Sequence, residues 1–138
     1  MNEADVLATL RAHWMDSRLL APEPYVWEDE TDPPTGDVWM RVTLRSASSR
    51  RPAIGRVRED NMGVILVQTF SNRELGPGPG ERLASDVAAI WRAFRHPQIR
   101  LQAPDIAGLP ADGAFNRQLV TVDWRANLRF TQALGELT

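Results

Sequence analysis

The 138-residue chain contains no cysteine, which excludes disulfides, thiolate nucleophiles, thiolate-held zinc and iron–sulfur clusters. It also contains no lysine: all 16 of its Lys and Arg positions are Arg. Schiff-base chemistry and the phosphate-binding lysine of a P-loop are excluded with it. Histidine occurs only as His13 and His96, in no metal-ligand spacing. One lies beside an apolar helix face and the other at a helix end, positions that suit packing or capping better than catalysis. No Gly-x-Ser-x-Gly elbow is present to seat a hydrolase nucleophile. Long apolar runs are missing too. The longest aliphatic stretch, Val64-Ile65-Leu66-Val67, is far short of the ~20 residues that span a bilayer. The acidic start leads into no apolar signal segment, so the expectation is a cytoplasm-like compartment and no membrane partner. The formal net charge of −2 speaks against broad binding to nucleic-acid phosphates.

What is present reads as one ordinary domain, 43% hydrophobic and 25% charged. Asn2 is a helix cap with Glu3 and Asp5 in the first turn, and Val6, Leu7, Leu10 and Trp14 follow at helical spacing. These predict a helix over about residues 3–15. Tyr25–Trp27 reads as a short extended piece, and residues 28–37 as an acidic surface loop interrupted by prolines. Val38 to Arg45 alternates as a strand with Val38, Met40, Val42 and Leu44 on one face. A polar tip from Ser46 to Pro52 follows, then a weak strand over 54–58. Asn61-Met62-Gly63 reads as a turn or bulge, and Val64 to Phe70 as a central strand. Gly76 to Gly80 reads as a rigid loop whose prolines lack the amide donors a phosphate would need. Leu83, Val87, Ile90, Trp91 and Phe94 then share one helical face. Residues 98–102 read as a short strand, 103–116 as a long loop and 117–125 as another alternating strand. Two amphipathic helices and several alternating strands imply an α+β two-layer sandwich. The expected sheet is mixed or mostly antiparallel, with both helices on one face. A single domain over 1–138 is expected, with a mobile hairpin arm at about 46–61 and a flexible tail at about 131–138.

Two charged features compete for function. Glu28, Asp29, Glu30, Asp32 and Asp37 crowd the acidic loop, but without the spacing or closing Glu of a calcium loop, so no metal is expected. Arg50, Arg51, Arg56 and Arg58 form the concentrated basic feature, and residues 45–63 hold no aromatic to stack on bases. The arm therefore suits contact with an acidic protein surface. Subunits with opposite charges at different edges can join head-to-tail, and such contacts close into rings when the rotation allows. Ring formation is one option among several on these residues alone.

The order of elements resembles a known family. It comprises the N-terminal helix, the Pro/Trp segment, the strand ending in a polar arm, the Gly63-to-Phe70 strand and the helix Leu83 to Trp91. Ile99-Arg100-Leu101 and the strand Leu119 to Trp124 complete it. The chain is similar, over about residues 3–130, to the tail-terminator (tail-completion) proteins of long-tailed phages and phage-like gene transfer agents. The resemblance implies a lambda-type tail-terminator-like fold, a homo-hexameric ring capping the tail tube, and no catalysis or cofactor. It implies the major tail tube protein and a head-completion or neck protein as partners. DNA would pass through the channel unread, in a particle assembled in the host cytoplasm. Arg50, Arg51, Arg56 and Arg58 are the residues expected to contact tube or neighbour, with Asp29, Glu30 and Asp32 as the reciprocal surface. Three other readings stay open: a neck or head-completion protein, a small ligand-binding or enzymatic domain with a concave pocket, and a nucleic-acid regulator using the Arg arm.

Overall fold

A computed structural model of the chain describes residues 2–30, 32, 34, 36–53 and 56–126, with backbone alone for 48–53 and 56–60. The expected tail at 131–138 and Ile54 of the expected weak strand lie outside the described residues.

Helix α1 (Glu3–Asp16) begins with a reciprocal cap. The Asn2 side chain accepts from the Asp5 amide at 2.9 Å, and the Asp5 carboxylate accepts from the Asn2 amide at 2.8 Å. Its inward face is Val6, Leu10 and Trp14, all fully buried. Helix α2 (Gly78–Arg92) buries Leu83, Val87, Ile90 and Trp91, and Phe94 continues the same stripe just past its end. Five strands form the path β1 (Tyr25–Trp27), β2 (Val38–Ala53), β3 (Arg56–Asn72), β6 (Phe115–Ala126) and β4 (Ile99–Leu101). A sixth, β5 (Asp105–Asp112), also pairs with β6. The β1–β2 pair is parallel and the others are antiparallel. Strands β4 and β5 occupy one edge of β6 in succession, β4 opposite Trp124 to Ala126 and β5 mostly opposite Arg117 to Thr121.

Both helices lie on one face of this sheet, giving the two-layer α+β arrangement. The main core joins the helix stripes to Met40, Val42, Ile65, Val67, Val120, Val122, Trp124 and Ala126. Trp14 and Trp91 stack across the two helices with centroids 6.1 Å apart and planes 13° apart, and Tyr25 meets Trp14 edge-on. Burying side chains of this size contributes ~1.5–3 kcal/mol each, which is what holds two short helices to the sheet. On the opposite face a smaller cluster of Val26, Trp39 and Phe70 packs beside Phe115. The Trp39 and Phe70 rings stack at 4.0 Å, with the Arg41 guanidinium 5.8 and 5.9 Å from their centroids. No helix among the described residues is long and apolar enough to cross a membrane.

The structure corrects four local expectations, the first being the polar tip at Ser46 to Pro52, which is paired strand within β2. Asn61-Met62-Gly63 is neither turn nor bulge: the β2–β3 and β3–β6 registers run through it without a shift. Gly63 is there for close packing, since a Cβ would sit 2.0 Å from the Arg45 carbonyl oxygen and 2.4 Å from the Trp124 ring. The loop expected at 76–80 ends earlier, because Gly78, Pro79 and Gly80 form the first turn of α2. Proline is tolerated there because the first helical amides lack intrahelical partners anyway. Gly80 lets this turn lie against Ser71, whose Oγ would be 2.8 Å from a Cβ. The loop expected at 103–116 is mostly strand β5, joined to β6 through Gly113 at φ +58°.

Candidate functional site

The arm that carries the arginines is a direct continuation of the sheet. Strands β2 and β3 pair from Val38↔Ser71 out to Ala53↔Arg56. The last described β3–β6 pair is Asn61↔Ala126, so the five pairs from Ser49↔Asp60 to Ala53↔Arg56 extend past it. At ~3.4 Å per residue this is a two-stranded extension of about 17 Å. The register brings all four candidate arginines into it. Arg50 stands opposite Glu59, Arg51 directly opposite Arg58, and Arg56 opposite Ala53 at the end. Opposite charges across strands stabilise a hairpin, whereas like charges directly opposite destabilise it. The register thus sets two residues of like charge at one cross-strand position of the arm. By the two-residue alternation this position continues the face of the sheet that carries no helix.

The acidic candidates follow directly on β1, at the same end of the sheet as β2. Glu30 closes a turn at the end of β1, its amide donating to the Trp27 carbonyl at 3.0 Å, and Asp29, Glu30 and Asp32 are exposed. Glu28 is held beside β2 by the Val42 carbonyl, and its carboxylate pairs with Arg45. Accepting that hydrogen bond, together with its charge, raises the Arg45 pKa above its ordinary value. Arg50 is five residues farther along β2 from this pair, or about 17 Å at strand spacing. A subunit's acidic loop and its own Arg arm thus flank one edge.

Negative charge at the opposite edge comes from β5, a strand within the segment where the sequence predicts a loop. Asp105 and Asp112 bracket it, and all of its residues except Leu109 are exposed. The signal that could have found it is Asp112-Gly113, a dipeptide suited to a hairpin turn. The residues on either side show no alternation of burial, which is why periodicity missed them.

The histidines take structural positions. His13 Nε2 is 2.7 Å from the Ile90 carbonyl, and its ring packs against Trp91 and Phe94. His96 Nδ1 accepts from the Gln98 amide at 3.1 Å, steadying the turn into β4. Among the described residues no group of three or more His, Cys, Asp or Glu is placed to hold a metal ion. An open groove of about 340 Å³ lies between the end of α2 and β4, with Arg92, Arg95, Gln102 and Pro104 in its lining. Arg95 already donates to the Arg92 and Phe94 carbonyls, both at 2.7 Å. The groove lining contains no carboxylate or imidazole for acid–base work.

Comparison with known proteins bears on the family and the fold. The family model described as phage tail terminator protein matches residues 5–113. No curated protein matches the chain. One solved structure superposes on it with a TM-score of 0.68 and is 18% identical, covering 91% of this chain and 96% of that one. At that identity the likeness concerns the fold.

Proposed function

The chain belongs to the phage tail terminator family, and from that premise we propose that it is a structural subunit of a homo-hexameric ring at the head-proximal end of a tail. The ring sits on the tail tube, stops its polymerisation and presents its other face to a head-completion or neck protein. Assembly takes place in the host cytoplasm and the product stays in the virion. The subunit turns over no substrate and needs no cofactor. DNA passes through the ring without being read, a passage suited to a mildly acidic protein with a net charge of −2.

The observation that carries this reading is the arm. A two-stranded extension that sets Arg51 against Arg58 gains from an acidic partner what it lacks alone. Arg50, Arg51, Arg56 and Arg58 contact the neighbouring subunit or the tail tube. Asp29, Glu30 and Asp32, exposed in the segment after β1, offer a negative surface to positive groups of a partner.

The test is reversal of charge at Arg50→Glu with Arg51→Glu, read in particles carrying only the variant. The expected result is a soluble, folded subunit and tails of uncontrolled length that fail to join heads. Tails of normal length and infectivity would remove the arm from the mechanism.

A further inference from the structure

Of the strand edges that lack a strand neighbour among the described residues, the two longest lie at opposite ends of the sheet. One is the outer edge of β2 past its pairing with β1, which ends at Val42. The other is the outer edge of β5, whose pairing is with β6 alone. An exposed edge is a template for pairing with another chain. Because the two edges are different surfaces of one subunit, joining them is heterologous and propagates around a ring or along a filament. Strands β2 and β6 run in the same sense, since each is antiparallel to β3, and β5 runs against both. Copies related by rotation about an axis along the strands would therefore bring β5 against β2 in antiparallel sense.

We propose that β5 of one subunit adds to the outer edge of β2 in the arm of the next copy, with Asp105 opposite Arg51, Ala107 opposite Ser49 and Leu109 opposite Ala47. Three independent features select this register. The first is charge: residues 46–61 contain four Arg against Glu59 and Asp60, whereas β5 contains Asp105 and Asp112 and no basic residue. The second is face: Asp105 pairs with Thr121 and so shares the sheet face without helices, the face that the Arg51/Arg58 position continues. The third is proline: Pro52 falls beyond Asp105, and Pro110 falls within the register shift after Leu109. Neither proline then sits in the paired segment, where a missing amide would break the ladder. The acidic partner that the like-charge arginine pair calls for is thus supplied by a second copy of this chain.

This inference rests on the ring reading, and its test separates the two. Because the chain has no cysteine, Ala107→Cys and Ser49→Cys introduce the sole thiols. The variant carrying both, mixed with tail tubes and a short bis-maleimide crosslinker that adds one thiol at each end, should give a ladder of covalent multimers. Either single variant should give none. In parallel, Asp105→Arg should weaken self-association at low salt about tenfold, and the exchanged pair Asp105→Arg with Arg51→Asp should restore it to within about threefold. Multimers by native mass without a ladder and without rescue by the exchanged pair would overturn the edge pairing and leave the ring reading standing. A subunit that stays monomeric with tubes and leaves their length unchanged would overturn both.

Discussion

Gly63 is held by contact and Gly113 by torsion, and the two should respond differently to the same change. In Gly63→Ala the new Cβ meets the Arg45 carbonyl at 2.0 Å and the Trp124 indole at 2.4 Å. Both belong to a paired strand and a packed core, so neither can retreat freely. Urea unfolding should show a loss of about 1–3 kcal/mol or more, the range of overpacked cores. Gly113→Ala has open space around its Cβ and suffers only from φ +58°, a cost of about 1–2 kcal/mol. His13 is a third residue with a definite role: the Ile90 carbonyl requires its proton on Nε2. His13→Ala leaves that carbonyl without its partner and removes a ring from Trp91 and Phe94. A loss of about 1–3 kcal/mol is expected in the same assay.

At the scale of elements, the arm should be separable from the body. Replacing residues 48–61 by Asn-Gly joins the Ala47↔Met62 pair through a two-residue turn of the type hairpins favour. Thermal unfolding of this shortened chain should stay cooperative with a midpoint within a few degrees of the parent, while electron microscopy finds no capped tubes. Elements with one buried face were legible in the sequence for a physical reason. Val6, Leu10 and Trp14, the Leu83-to-Phe94 stripe, and Val120, Val122 and Trp124 repeat with the period of their own backbone. Strand β5 was not legible because it buries neither face and is held by main-chain pairing. The start of α2 was hidden by Pro79, which reads as an interruption although a first helical turn accepts it. Of the candidate site, the arginine cluster could be read directly. The Arg51/Arg58 juxtaposition needed the register, and the acidic edge opposite it needed β5 to be a strand.

At the scale of the whole molecule, the fold puts different surfaces at its two ends, so repeated association has a direction. A subunit of this kind should not form a symmetric dimer through these edges. Its association should depend on ionic strength, because exposed arginines and aspartates are screened beyond ~8 Å at physiological salt. Raising salt from about 50 to 500 mM should shift sedimentation toward the monomer while circular dichroism stays constant, since the core is apolar. Salt-independent association would point instead to an apolar contact, for which the exposed candidates among the described residues are Met15, Leu19 and Leu20 at and just past the end of α1, Leu75, and Ile106 of β5.

The Trp124 indole lies across Gly63, close to where the hairpin leaves the body of the protein. Were the hairpin to rock, its pivot would lie near this ring, with the long arm of the lever outside and the short arm in the core. Docking of the outer end would then be felt as torque on a buried chromophore, and the share of Trp124 in the emission of the five tryptophans becomes a built-in gauge of whether the hairpin has been seized.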